Sequence, residues 1–190
     1  MSKERLAAFT DGVFAIIITI LVLGLYRPTA INADELIILA ERFFCYTLAF
    51  FWLGSIWVHL HNSWERVERI SQGTIWWSII FLFFTSLVPH ANAIMDDHFY
   101  DPISQILYGI VVCGTVITYM LLNRQLYQIN PQLATSHRKL HYWLIASLLV
   151  ILIGMGLSLT IYPASVSFAV LASLLFVMIP SHFYVKNHQA

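Results

Sequence analysis

The run Arg5-Leu6-Ala7-Ala8-Phe9-Thr10-Asp11-Gly12-Val13-Phe14-Ala15-Ile16-Ile17-Ile18-Thr19-Ile20-Leu21-Val22-Leu23 decides the fold. Between Leu6 and Tyr26 the only charged side chain is Asp11. A helix crossing a bilayer core needs roughly 20 apolar residues, and this stretch supplies them. Arg27-Pro28 ends it. The pattern recurs over Leu36–His61, Gly73–Ala93, Ile103–Leu122, Leu140–Leu159 and Ala164–Tyr184. The breaks carry charge or turn residues: Glu65-Arg66-Val67-Glu68-Arg69, Asp96-Asp97 with Asp101-Pro102, Asn130-Pro131 and Tyr162-Pro163. The expected fold is an all-α integral membrane protein of six transmembrane helices, forming one domain over residues 1–190.

Composition points the same way. Of 190 residues, 59% are hydrophobic and 11% charged, with a mean hydropathy of +0.74. Soluble domains run at about 45–50% apolar and about 25% charged. Ten Lys and Arg balance ten Asp and Glu without a basic block, so nucleic acid is not an expected partner. Cys45 and Cys113 both lie in apolar runs and offer neither a disulfide framework nor zinc spacing. Trp76, Trp77 and Trp143 fall near span ends, as interfacial anchors do. Arg5 and Asp11 flank the first apolar run and no small-residue cleavage site follows, so it reads as a membrane helix and not a signal peptide.

Lys and Arg set the orientation. Lys3, Arg5, Arg66, Arg69, Arg124, Arg138, Lys139 and Lys186 fall on one side, against Arg27 and Arg42 on the other. Both termini are therefore expected to be cytoplasmic, in a multi-pass protein of the cell membrane. The outer side is acidic, with Asp34, Glu35, Asp96, Asp97 and Asp101. We read Asp96, Asp97 and Asp101 as a loop that raises the local cation concentration, in preference to a divalent-ion site involving His98.

The first helix holds the unusual chemistry. At about 100° per residue, Ile16, Ile20 and Leu23 share a stripe, with Gly12 and Thr19 at its edge. Asp11 lies roughly 140° from Ile16 and is expected to face a neighbouring helix. A carboxylate in a span is costly and faces protein or water; the plainest reading of Asp11 is structural. His59 and His61, at matching depth near the end of the second span, are its candidate partners. A proton-coupled secondary transporter using Asp11 and His59 is the alternative function. It is weakened by the lack of a pair of Gly/Pro-broken helices. Haem is disfavoured because His59, His90, His141 and His182 are spread over both sides. No metal site, cofactor or enzymatic motif is expected: zinc HExxH, nucleophile elbow and phosphate loops are all missing.

The start of the first helix, Arg5-x-x-x-Phe9-Thr10-Asp11, resembles the Arg-x-x-x-Phe-Ser-Asp signature of the transmembrane protein 175 family of potassium channels. Thr10 stands for the family's Ser. Ile16 and Thr19 match the family's branched apolar residue and Thr at five and eight positions beyond the Asp. The resemblance implies the single-repeat bacterial type, a homotetramer in a bacterial plasma membrane whose first helices line a central pore. It implies that Ile16, with Ile20 and Leu23, forms the constriction, and that Thr19 bears on cation selectivity. It also implies that the signature residues Arg5, Phe9, Thr10 and Asp11 build a structural network, for which His59 and His61 are the candidates on neighbouring helices. The expected function is a potassium-favouring cation channel, with the lipid bilayer and monovalent cations as its partners. Apolar rings of this kind gate by dewetting.

Overall fold

A computed structural model describes residues 2–186; the side chains of residues 133–139 and 177–186 lie outside the description, as do the expectations placed on Arg138, Lys139, His182 and Lys186. The chain is all helical among the described residues. The helices are α1 (Lys3–Leu23), α2 (Ala33–Arg66), α3 (Gln72–Asp97), α4 (Pro102–Ile129), α5 (Ala134–Thr160) and α6 (Ser165–Lys186), with a 3₁₀ turn at Pro131–Leu133. Five have the length and hydropathy to cross a membrane, and the described apolar part of α6 is shorter, Ser165–Phe176. The protein is a multi-pass integral membrane protein.

Local chemistry starts the first four helices. Four of the six have a side-chain N-cap: Ser2 accepts from Arg5 N–H, Asn32 from Glu35 N–H, Ser71 from Thr74 N–H and Asp101 from Ser104 N–H. Ser71 and Thr74 form a reciprocal capping box, and Pro102 opens α4 where its missing N–H costs nothing. The first helix stops at Leu23, one turn before the expected Tyr26, because Gly24 caps it. The second runs 34 residues, about 51 Å, well beyond a bilayer core of about 30 Å. Its charged end segments Asp34-Glu35 and Glu65-Arg66 therefore extend past the apolar span seen in the sequence.

The α4 helix is central. It packs on α3, α5 and α6, and its Tyr108, Val112, Tyr119, Leu122 and Leu126 are fully buried. A chain of rings ties the first helix to it: Phe14 lies 5.8 Å from Phe81, and Phe81 5.4 Å from Tyr119. Lipid tails are as apolar as Leu, so burial itself drives little here, and close packing must hold the helices. Small residues allow it. A Cβ on Gly154 would lie 2.4 Å from the Ala169 Cβ and 3.0 Å from the Ser165 carbonyl, so α5 and α6 touch through the glycine face.

Buried polar side chains add specific ties between helices. Gln105, fully buried, donates to the Phe99 carbonyl at 2.7 Å and accepts from Ser167 N–H and Oγ at 3.2 and 3.0 Å. Trp52 Nε1 donates to Ser173 Oγ at 3.2 Å. Asn130 closes the opposite end, accepting from Glu68 N–H and Arg69 N–H while donating to the Arg69 carbonyl. These groups find partners within the protein, as hydrocarbon surroundings require.

The helices alternate in direction. Arg42 near the start of α2 meets Asp96 and Asp97 at the end of α3, and Tyr100 before α4 meets Tyr162 after α5. That end of the molecule thus gathers the finish of α1, α3 and α5 and the start of α2, α4 and α6.

Candidate functional site

The first helix packs chiefly on α2 and α3, and its two faces differ sharply. Leu6, Thr10, Phe14, Ile17 and Leu21 recur at helical spacing and are all buried. The other side is open. Phe9 is 52% exposed, Ile16 60%, Ile20 45% and Leu23 71%, and Gly12 has nothing within 4 Å of where a Cβ would stand. The stripe read from the sequence is therefore the face of α1 that the rest of the chain leaves uncovered.

Thr19 lies on that face, and its hydroxyl donates to the Ile16 carbonyl at 2.8 Å. The proton is committed to the backbone, so the hydroxyl oxygen presents lone pairs outward. An oxygen so oriented is suited to a cation and not to an anion. Thr10, on the opposite face, spends its hydroxyl on the Leu6 carbonyl at 2.8 Å and packs inward.

Asp11 is half-buried between the two faces and points to α2, as its angular position required. It accepts a hydrogen bond from Trp57 Nε1 at 2.8 Å. The Trp57 ring stacks on His61, centroids 5.3 Å apart, and His61 Nε2 lies 3.6 Å from Glu65 Oε1. The sequence reading put a histidine beside Asp11; in the structure Trp57 donates to it and His61 stands one ring behind. Trp57 was missed because an indole in an apolar helix carries no mark of its hydrogen-bond role. His59 is buried on α2, one turn before Ser63, whose hydroxyl donates to the His59 carbonyl. Two members of the expected network stand apart from it. Phe9 is exposed on the open face, and Arg5 is exposed, its side chain without a partner among the described residues.

The acidic cluster is corrected more strongly. Asp96 and Asp97 end α3, and both pair with Arg42, Asp96 at 3.3 Å. Asp101 is the α4 N-cap, accepting from Ser104 N–H at 3.1 Å. These are fastenings between elements and not a free loop, because Arg42 neutralises part of the charge of Asp96 and Asp97. Asp97, 64% exposed along its side chain, still presents a carboxylate to solvent. Arg42 also lies over the Tyr26 ring, 5.2 Å from its centroid. Tyr26 donates to Glu35 Oε2 at 2.7 Å, which raises the phenol's pKa. Thr29 donates to the same carboxylate from its N–H and its hydroxyl. The C-terminal end of α1 is thereby tied to both α2 and α3.

The family model described as "Endosomal/lysosomal potassium channel TMEM175" matches residues 5–89, from the signature Arg to the middle of α3. A curated potassium channel of Chryseobacterium sp. (strain P1-3) is 36% identical over 124 residues, 64% of each chain. Potassium channels of Streptomyces collinus and Chamaesiphon minutus are 25% and 29% identical over 126 and 104 residues. The matched part spans 64%, 61% and 51% of the length of these three relatives. The crystal structure of a lysosomal potassium-selective channel TMEM175 homolog from Chamaesiphon minutus superposes with a TM-score of 0.79 at 20% identity, covering 94% of this chain and 97% of that one. The fold is the same along nearly the whole chain. The resemblance read from Arg5, Phe9, Thr10 and Asp11 is shown over residues 5–89.

Proposed function

We propose that this relative of the TMEM175 potassium channels is itself a potassium-favouring cation channel, conducting passively through a pore lined by α1. The observation that carries the reading is the open face of α1. The protomer seals one side of that helix and leaves Ile16, Thr19, Ile20 and Leu23 uncovered, with Ile16 and Thr19 at the two positions the family pattern counts from Asp11. Four copies arranged about an axis would bring these residues together as stacked rings. Rings of Ile16, Ile20 and Leu23 close the pore to water, since an apolar constriction gates by dewetting. A ring of Thr19 oxygens replaces part of the hydration shell of an entering cation. No carbonyl cage lines this face, so discrimination between potassium and sodium rests on hydroxyl oxygens and pore width and is modest.

In this reading the chain works as one six-helix unit in a homotetramer, with both termini cytoplasmic in a bacterial plasma membrane. Potassium is the transported ion, and passive conduction calls for no cofactor. Asp11 and Trp57 hold α1 against α2 so that the open face keeps its angle to the pore. An indole N–H has no proton to exchange near neutral pH, which favours this positioning role over a proton carrier at Asp11.

The test is potassium-driven flux in proteoliposomes of the purified protein. Flux should run down the potassium gradient without a pH gradient, prefer potassium to sodium, and lose part of that preference in Thr19→Ala. Flux that appears only on imposing a pH gradient would replace the channel with an exchanger.

A further inference from the structure

Two uncovered faces border the open stripe of α1, one on each side. The α1 helix packs between α2 and α3, while α6 covers the far side of α2 and α4 the far side of α3. A flank of each helix is left over. On α2 it carries Thr47, Gly54 and Val58; on α3 it carries His90, Phe83 and Ile79. Each trio falls within about 40° of its helix circumference.

The two flanks match in depth. The helices run antiparallel, and Arg42 of α2 meets Asp96 of α3. Thr47, Gly54 and Val58 stand 5, 12 and 16 residues beyond Arg42, and His90, Phe83 and Ile79 stand 6, 13 and 17 before Asp96. Each α2 residue therefore shares its level with one α3 residue, to within about 1.5 Å. They match in shape as well. Gly54 has nothing within 4 Å of where a Cβ would stand, and Phe83, at its level, is 58% exposed. Val58 and Ile79 are both exposed and apolar. Thr47 donates its hydroxyl to the Phe43 carbonyl at 2.7 Å, so its oxygen presents lone pairs. His90, at its level, is exposed and makes no hydrogen bond among the described residues. An imidazole about 9 Å inward of Asp96 is costly against lipid and calls for protein.

Area points to a second copy as the occupant. The partly exposed Phe9, Ile16, Ile20 and Leu23 of α1 offer roughly 400 Å², shared between two neighbours, whereas a stable interface takes about 800 Å² per partner. The faces beside α1 must supply the rest. We propose that the α2 flank of one protomer seats on the α3 flank of the next, with Phe83 entering the notch at Gly54 and His90 donating to the Thr47 oxygen. The contact is head to tail, so repetition about an axis closes a ring. It rests on the reading that puts α1 at that axis.

Disulfide trapping of the full chain in native membranes tests this. Two copies with different tags are co-expressed, one carrying Gly54→Cys and the other Phe83→Cys. Mild oxidation should join them as mixed dimers, and a chain carrying both substitutions should ladder up to the tetramer. Each single variant should stay monomeric, because a head-to-tail contact does not bring a residue onto its own copy. Size exchange gives a second readout. Gly54→Trp fills a notch that is open within the protomer, so helicity by circular dichroism should stay at the wild-type value. The tetramer fraction in native mass spectrometry should fall about tenfold or more, as overpacking a filled site does. Phe83→Ala in the same chain should restore most of it. No mixed dimer, self-linking of either single variant, or a tetramer indifferent to Gly54→Trp would overturn the contact. Leu23→Cys, on the α1 stripe, separates its failure from that of the axis. Leu23→Cys dimers without the mixed product overturn the flank contact and keep the axis. The mixed product without Leu23→Cys dimers keeps the contact and moves α1 off the axis, and the absence of both overturns both.

Discussion

Ile16 is a large apolar side chain left 60% exposed on a helix whose opposite face is sealed, and its own backbone carbonyl accepts the Thr19 hydroxyl. If it forms the narrowest dewetted ring, a polar side chain of similar size should wet it. Ile16→Asn is expected to raise potassium conductance several-fold in planar bilayers, and unchanged conductance would remove Ile16 as the constriction. Asp11 makes a different prediction. Trp57→Phe keeps a ring to stack on His61 but removes the N–H that Asp11 accepts, at a cost of about 1–2 kcal/mol. The thermal midpoint in detergent should fall by a similar amount in Asp11→Ala, which leaves the indole no acceptor, and the double variant should lose little more than either alone. At this scale the sequence marked Asp11 clearly, because a carboxylate within an apolar run always needs a partner. It did not mark Trp57, since tryptophan is equally at home as packing. Nor did it show that Asp96 and Asp97 share Arg42 across more than 50 residues of chain, because residue spacing carries no sign of a tertiary ion pair.

Whole helices were the most legible feature, since a bilayer core dictates both their length and their composition. The ends were less so. Gly24 stops α1 short, and the polar starts of α2 and α3 lengthen them through caps at Asn32 and Ser71 that an apolar window ignores. Helix pairing was not legible at all, because in lipid the pattern of small residues matters more than hydrophobicity. The α5–α6 contact shows this. The nearest atoms to a Cβ on Gly154 are another Cβ and a backbone carbonyl, neither the end of a flexible chain. Gly154→Ala should therefore force the helices apart and destabilise by about 1–3 kcal/mol, as overpacking does, seen as a lower unfolding midpoint. Gly156→Ala, one half-turn on, meets nothing within 4 Å and serves as the matched control. If both variants melt as the wild type, the tight α5–α6 contact is not limiting for stability.

Across the whole molecule, an open apolar face has two explanations, lipid or another copy, and exposure alone does not separate them. The α5 helix also leaves Leu149 54%, Ile153 61% and Leu159 66% exposed, which is ordinary for a helix against acyl chains. The α1 face differs in chemistry, since Gly12 and Thr19 interrupt its large side chains. A small residue and an outward oxygen gain nothing from lipid, whereas a packed or ion-lined axis uses both. Cross-linking distinguishes the two faces. The native Cys45 and Cys113 are both buried and free, so a single added cysteine reports on its own surroundings. Leu23→Cys, on the most exposed residue of the α1 stripe, should form disulfide-linked dimers under mild oxidation in native membranes, because a symmetry axis brings copies of one residue together. Leu159→Cys, of similar exposure on α5, should remain monomeric under the same conditions. The reverse pattern would turn α1 toward lipid and put the axis of assembly beside α5, and with it the pore.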